Sequence, residues 1–327
     1  MLQTLQWLNP VFIYSFLRAK IYSSGFKSPL RLGVAVVSVG NLQFGGSGKT
    51  PFVMYLLNRY NKYKIAVVSQ SYKAQVSQPE QVDLSKVNFQ THFGDEPSLI
   101  QKTFPKVDVW CGPLKWKAAK TASETKKYDL IIVDDGFTHH QLFRDLDLLL
   151  IDGSRPLNSY RLPPFGFLRE SMMACTRAHA IIVTKVKSLA ERDDLVKMVQ
   201  PYNKRTSFAN YVSQASEVKP NVHYFLFAGI GNFEFFHSHA KDLGVSIHSF
   251  VSYENHADYP KSLQQEILQS LVRFNLRGLT TAKDRIKLTL PELLARTDCL
   301  YVDVQLEKSM EQWLDESIMA AVTSKNR

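Results

Sequence analysis

Residues 34 to 51 read Val34-Ala-Val-Val-Ser-Val-Gly-Asn-Leu-Gln-Phe-Gly-Gly-Ser-Gly-Lys-Thr-Pro51, and this stretch decides the fold. Val34 to Val39 is a short apolar run of the kind that forms a strand buried on both faces of a parallel sheet. Gly45, Gly46, Ser47 and Gly48 make a turn, and the pattern through Leu56, Leu57 and Tyr60 is helical. Strand, glycine-rich loop and helix N-terminus together predict a phosphate cradle. The glycines let backbone N–H groups close round phosphate oxygens, and the helix dipole favours their charge. Lys49 is spaced to reach the β/γ oxygens of a nucleotide such as ATP, and Thr50 to hold Mg²⁺. The general motif has a glycine where this chain has Gln43.

Downstream the same logic repeats. Lys64 to Ser69 is a second apolar run, followed by a polar loop containing Tyr72. Gly94-Asp-Glu-Pro97 precedes a helix expected from Pro97, Val107 to Cys111 reads as a strand, and Lys115 to Thr125 as a helix. Tyr128 to Gly136 is a buried strand ending in Asp134 and Asp135. An apolar strand that delivers acid at its C-terminal end is the Walker B arrangement, which sets carboxylate oxygen near a phosphate-bound Mg²⁺. Leu146 to Asp152 and Ala180 to Lys185 add strands, with a loop at Leu162 to Glu170 leading into a helix. A shorter strand at Phe208 to Val212 and the polar residues Ser213 to Asn221 mark a boundary. The alternation resumes with a strand at Val222 to Ala228, a turn at Gly229 to Gly231 and a helix to Leu243. It continues with a strand at Val245 to Val251, a helix at Ser262 to Phe274, a strand at Leu300 to Leu306 and a last helix. Such alternation predicts an α/β fold with a parallel sheet covered on both faces.

At 327 residues, 45% hydrophobic and 21% charged, the chain has the composition of a soluble globular protein with room for two cores. Three widely spaced cysteines without a CxxC argue against a disulfide framework or a zinc site and fit a reducing cytosol. The net charge of +10 is uneven: Met1 to Pro79 carry nine Lys or Arg and no acid, so the remaining residues contribute only +1. That asymmetry points to an anionic membrane surface, a polyanion or a phosphorylated substrate. The first element, with Asn9 as N-cap and Pro10 at the first helical position, has Val11 to Leu17 mostly apolar and Arg18, Lys20, Lys27 and Arg31 after it. It is too short to span a bilayer and lacks the flanks of a signal peptide. A helix lying in a membrane interface near anionic lipid fits it, as does an ordinary helix packed on its own domain.

Taken in order, these segments resemble the tetraacyldisaccharide 4′-kinase family of lipid A biosynthesis. The likeness runs from Ser38-Val-Gly-Asn-Leu42 and Gly45-Gly-Ser-Gly-Lys-Thr-Pro51 through Gly94-Asp-Glu-Pro97, Asp134-Asp-Gly-Phe137 with His139, and Leu168-Arg-Glu170. It continues with Phe227-Ala-Gly-Ile-Gly-Asn232, His256 and Thr281-Ala-Lys-Asp284. The family also lacks the first Walker glycine. Three places differ from its usual pattern: Ser69-Gln-Ser-Tyr72, Thr138 in place of Gln, and Asn255-His-Ala257 in place of Asp-His-His.

The resemblance implies transfer of the ATP γ-phosphate to the 4′-hydroxyl of a tetraacylated, 1-phosphorylated glucosamine disaccharide, giving lipid IVA. It implies two α/β/α domains joined by a short two-stranded linker, with the reaction in the cleft between them. Residues 1–26 would be the membrane-interface helix, 27–213 the P-loop kinase domain and 214–327 a smaller C-terminal α/β domain with a returning strand and helix. The protein would work on its lipid substrate as a peripheral or monotopic protein at the cytoplasmic face of the bacterial inner membrane. By the same resemblance Asp95 is the general base and His256 its partner, Lys49 and Arg169 carry positive charge to the transferring group, and Glu170 steers it or the metal. Thr50, Glu96 and one of Asp134 and Asp135 would arrange the Mg²⁺. His139-His140 and His237-x-His239 read as structural.

Two rival classes fit the sequence less well. A nucleotide-switch ATPase of the partitioning type carries a signature lysine before Gly-Gly-x-Gly-Lys-Thr, and Phe44 occupies that position here. A nucleic-acid module needs exposed aromatics on its basic stretch. The N-terminal aromatics fall in an apolar helix instead, so no nucleic acid is expected as a partner.

Overall fold

Runs of Val, Ile and Leu form strands wherever both of their faces can be covered, and in this chain twelve strands join in one sheet among the described residues. A computed structural model of the protein describes residues 21–22, 27–70, 74–86, 88–203, 205–214, 217–219 and 221–325. The strands are β1 (Ala35–Asn41), β2 (Ile65–Val68), β3 (Glu80–Gln81), β4 (Asp108–Cys111), β5 (Leu130–Asp134) and β6 (Leu146–Asp152). They continue with β7 (Ala180–Thr184), β8 (Thr206–Gln214), β9 (His223–Ala228), β10 (Ser246–Ser252), β11 (Arg277–Thr281) and β12 (Thr297–Leu306). Their order across the sheet is β10-β9-β11-β12-β8-β7-β6-β1-β5-β2-β4-β3.

Pairing is parallel from β8 to β4 and again from β10 to β12. The two parallel blocks meet through the antiparallel pair β8–β12, with Tyr301 opposite Gln214 and Leu306 opposite Ala209. Side chains alternate across β1. Val37 and Val39 enter a core with Phe52, Leu56 and Leu57, while Val34 and Val36 pack with Trp110, Ala118 and Ala122 on the other face. The second block has a core on each face too, one around Tyr224 and Phe236, the other around Phe227 and Leu271.

The last helix, Lys308–Lys325, returns to the first block: Met310, Leu314, Ile318 and Val322 recur on one face and are buried with Val37 and Leu56. Arg59 clamps it with two of its nitrogens, Nε and Nη2, on Asp315, at 2.9 and 2.8 Å. Several details differ from the sequence expectations. The helix expected from Pro97 begins at Asp95. The loop ending at Glu170 leads into a short 3-10 turn, Met172–Arg177, rather than an α-helix. Most of the expected N-terminal helix, and Ser71 and Tyr72, lie outside the described residues. No helix among the described residues is long and apolar enough to cross a membrane.

Candidate active site

The helix Lys49–Arg59 starts just beyond the C-terminal end of β1, and its N-cap is Gly48 with φ 83°. Glycine is required there twice over: the backbone is left-handed, and a Cβ would stand 2.6 Å from the Tyr211 ring. The loop's carbonyls are tied to β7 and β8. Tyr211 Oη donates to the Gly48 oxygen at 2.9 Å, Thr184 Oγ1 to that of Ser47 at 3.0 Å, and Lys185 Nζ to that of Gly46 at 2.7 Å. With these carbonyls anchored, the loop turns its N–H groups toward the helix N-terminus where an anion binds, the Ser47 N–H meanwhile donating to the Gly45 oxygen at 3.1 Å. Lys49 Nζ donates to Asn41 Oδ1 at 3.2 Å and stands 3.7 Å from Asp135 Oδ1. Thr50 is half-buried in the first helical turn.

Parallel pairing brings the ends of neighbouring strands to one edge. Asp134, the last residue of β5, is in register with Val39 of β1. Its Oδ2 accepts from Ser69 Oγ at 3.0 Å, while Oδ1 is buried with no hydrogen-bond partner among the described residues. Asp135 follows at φ 52°, a left-handed conformation that costs a non-glycine residue about 1 kcal/mol or more. Lys115 stabilises that turn: its buried ammonium donates to the Asp134 oxygen at 2.6 Å and the Asp135 oxygen at 3.0 Å.

Because Asp135 turns away from its neighbour, the two carboxylates have different surroundings. Asp135 is gripped bidentately by Arg169, at 3.0 and 2.7 Å, and Arg169 also donates to Asn41. Burial alone would raise the Asp135 carboxyl, but Arg169, Lys49 and Lys115 hold it well below the usual range. The Asp134 carboxyl is instead pushed up, by burial above all, with Asp135 and Glu96 adding to the shift against Lys115 and Lys49. An unclaimed buried carboxylate oxygen beside a hydroxyl and a second acid is a hard oxygen donor set. Among the described residues no three His, Cys, Asp or Glu form a closed cage. One or two carboxylates completed by phosphate and water are what Mg²⁺ takes, so the residues present fit that ion.

The second block approaches this edge from the side. Asp95 and Glu96 open the helix Asp95–Thr103. Asp95 Oδ2 meets His256 Nδ1 at 3.1 Å and Lys287 Nζ at 2.9 Å. Glu96 Oε1 meets Lys283 Nζ at 2.5 Å and lies 3.9 Å from His256 Nε2. Burial raises the Asp95 carboxyl, and the His256 hydrogen bond with Lys287 more than reverses that, so it stays below the usual range. His256 is itself left-handed, φ 61°, and its N–H donates to the Gly229 oxygen at 3.0 Å. A Cβ on Gly229 would stand 2.8 Å from that of Ala257, so this glycine admits the loop that carries the histidine.

Glu170, next to Arg169, points elsewhere. It meets His140 at 3.2 Å and Arg177 at 2.8 Å in a buried cluster, rather than the P-loop or the acids of β5. His239 Nδ1 pairs with Ser213 Oγ at 2.5 Å.

The sequence description of LpxK, tetraacyldisaccharide-1-P 4′-kinase, matches residues 1–322. The chain belongs to the tetraacyldisaccharide 4′-kinase family. Among curated members, it is 34% identical over 287 residues to the tetraacyldisaccharide 4′-kinase of Bdellovibrio bacteriovorus, covering 82% of this chain and 84% of that protein. It is 32% identical over 279 residues to that of Aquifex aeolicus, covering 83% and 84%. The crystal structure of the "apo" form of LpxK from Aquifex aeolicus in complex with ATP matches with a TM-score of 0.75 and 30% identity over 94% of each chain. Membership in this kinase family sets aside the partitioning-type reading.

For a tetraacyldisaccharide 4′-kinase, the residues singled out in the sequence fall into two adjoining groups. Gly45, Gly46, Ser47, Gly48, Lys49, Thr50, Asp134, Asp135 and Arg169 share the edge at the ends of β1 and β5, and Asp95, Glu96 and His256 form the second group. Asn41, Lys115, Arg155, Lys283 and Lys287 were missed as site residues. Asn41 and Lys283 lie inside motifs quoted for the family, where each carries a contact rather than a turn. Arg155 reaches the P-loop from the end of β6, 2.6 Å from where a Cβ on Gly45 would lie, and nothing in its local sequence signals that. Lys115 looks like an exposed first-turn lysine in the sequence; only the packing of its helix under β5 makes it a buried donor.

Proposed function

We propose that this protein is an ATP-dependent kinase that phosphorylates the 4′-hydroxyl of a tetraacyl glucosamine disaccharide 1-phosphate, giving lipid IVA in lipid A biosynthesis. The observation that carries this reading is the Asp95–His256 contact of 3.1 Å, in a chain of this family, beside a P-loop and a strand-end carboxylate. Nucleotide cradles are common; a base–imidazole pair next to one is what activation of an alcohol needs.

The chemistry follows from the charges. A sugar hydroxyl holds its proton at neutral pH, so Asp95 accepts it as the new O–P bond forms and the bond to the β-phosphate oxygen breaks. ADP leaves with that electron pair. His256 holds the carboxylate in line and shares the proton through Nδ1. Lys287, 2.9 Å from Asp95, keeps it ionised and ready to accept. Lys49 and the N–H groups of Gly45, Gly46, Ser47 and Gly48 bind the β- and γ-phosphates. Lys49 has only to leave Asn41 and Asp135 to do so. Arg169, braced on Asp135 and Asn41, presents positive charge to the transferring group.

Thr50, Glu96 and Asp134 are the residues that would hold Mg²⁺, and the ion when bound supplies neutralising charge at the β- and γ-phosphates. Asp135, with both oxygens on Arg169, is the weaker candidate of the pair for direct contact.

We read residues 1–26 as a membrane-interface helix, 27–213 as the kinase domain and 214–327 as a smaller domain, with β8 and β12 as the link. The acid-free first 79 residues support work at an anionic surface, the cytoplasmic face of the inner membrane, on a lipid substrate held in the bilayer. Incubating the purified chain with ATP, Mg²⁺ and tetraacyldisaccharide 1-phosphate should add one phosphate to the lipid by mass. ATP consumption with an unchanged lipid mass would sink the proposal.

A further inference from the structure

The loop that delivers Arg169 has a second feature that catalysis leaves unused. Leu157, Phe165, Phe167 and Met173 are all exposed, Phe165 to 78% and Met173 to 68%. Phe44 of the P-loop is exposed beside them and donates its N–H to the Phe167 oxygen at 2.9 Å. Large apolar side chains gathered in this way mark an interaction surface.

Their exposure is not that of a slack loop. Phe165 N–H donates to Leu162 O, Phe167 N–H to Ser159 O, Leu168 N–H to Arg161 O and Arg169 N–H to Leu42 O, between 2.6 and 3.0 Å. A Cβ on Gly166 would meet the Arg161 backbone at 2.4 Å, so the turn is closed on itself. The turn is thus braced by its own backbone hydrogen bonds while Phe165 and Phe167 stay exposed, so the rings are held outward rather than left on a slack segment.

The charge pattern selects the medium. Between Gly153 and Ala178 there are four arginines and one acid, Glu170. That acid is buried and paired with His140 and Arg177, and Arg169 is held by Asp135, so the basic charge at the rim is that of Arg161, which is exposed, and Arg155, which lies 3.6 Å from Asp152 and 5.6 Å from the Phe167 ring centroid. An apolar tip with a basic rim matches the interface of an anionic bilayer. Glu170, at the base of the loop, pairs with His140 at 3.2 Å, and Tyr22, at the described end of the N-terminal segment, stacks on that histidine at 6.2 Å.

We infer that residues 154–173, with Phe44, form a second membrane-contact element that inserts Phe165 and Phe167 into the interface of an anionic bilayer and holds the catalytic edge against it. The choice of a bilayer as occupant rests on the lipid-kinase reading above. The arrangement ties surface binding to Arg169, only two residues beyond Phe167.

The test uses the full chain and vesicles of phosphatidylethanolamine and phosphatidylglycerol, without ATP or lipid substrate, so that it is independent of kinase activity. Cys111, Cys175 and Cys299 are buried, so an environment-sensitive fluorophore can be directed to a Phe165→Cys variant. Its emission should shift to the blue on adding vesicles and stay unshifted when protein concentration alone is raised. Changing Phe165, Phe167 and Met173 together to Ser should weaken vesicle binding roughly thirtyfold, with circular dichroism and ATP affinity unchanged. An unshifted label on bound vesicles would overturn the inference, and so would a blue shift that grows with protein concentration alone, which would make the patch a contact between copies. A wild-type chain that binds vesicles through this loop yet phosphorylates no disaccharide would sink the kinase reading and leave the surface standing.

Discussion

Replacing Asp95 and His256 singly and together tests whether the two halves of the chain share one catalytic device. Asp95 Oδ2 is 3.1 Å from His256 Nδ1, and the histidine comes from the second parallel block. General-base assistance contributes about 10²–10⁴-fold, so each alanine variant should lose about 3–5 kcal/mol of transition-state stabilisation. Were the residues independent, the double variant would lose the product, about 10⁶-fold for two 10³-fold effects. Acting on one proton, they should together lose little more than the larger single effect, because groups that work as a unit are not additive. The fold should tolerate the change. Without Asp95, Lys287 keeps its hydrogen bond to the Ala257 oxygen at 2.9 Å and an ion pair with Asp284 at 3.7 Å. The assay is kcat on dispersed lipid substrate with ATP affinity measured separately; the latter should move little, since neither side chain belongs to the phosphate cradle. Multiplicative losses, or a His256→Ala variant with wild-type kcat, would refute the pairing.

Other perturbations probe the remaining parts. Lys49→Ala should abolish phosphoryl transfer with an unchanged melting curve, because its contacts are with Asn41 and Asp135 at the site rather than the core; near-normal turnover would remove it from the mechanism. Lys115→Met, which keeps length and removes the donor to the Asp134 and Asp135 carbonyls, should lower kcat/KM by about 10–100-fold and raise the Mg²⁺ needed for half-maximal rate. An unaltered Mg²⁺ dependence would mean that the turn holds itself. Deleting residues 1–24 should release the protein from membranes and cut activity on bilayer-held substrate far more than ATP binding; unchanged sedimentation with membranes would make that segment part of the core.

How far the sequence carried can be judged element by element. β6 and the helix Lys115–Thr125 agree with expectation to the residue, since a Leu-rich run and an Ala-rich run leave little choice. β11 was not foreseen. Arg277-Gly-Leu-Thr-Thr281 has only one large apolar residue, and it is a strand because β9 and β12 flank it on both sides. Gly278 is there because a Cβ would lie 2.9 Å from Thr297 Oγ1, a closeness that no local pattern encodes.

The phosphate loop was legible because its residues are contiguous. The charge network was not. Lys287 reaches Asp95 across about 190 residues of sequence and Arg169 reaches Asp135 across 34, and such pairings arise only when separate strands end at one edge. The two acids at the end of β5 also read alike in the sequence. A single left-handed residue, Asp135, divides them into one carboxylate bound by arginine and one with an oxygen that no described residue hydrogen-bonds.

The central claim is that the phosphate goes to one alcohol of a lipid disaccharide. Phosphorus–proton correlation NMR on the purified product locates the new phosphate directly. The account predicts a single new phosphomonoester coupled to the H-4′ proton, formed by the wild-type chain and absent with Lys49→Ala. A phosphate on any other hydroxyl, or inorganic phosphate released with the lipid unmodified, would contradict it.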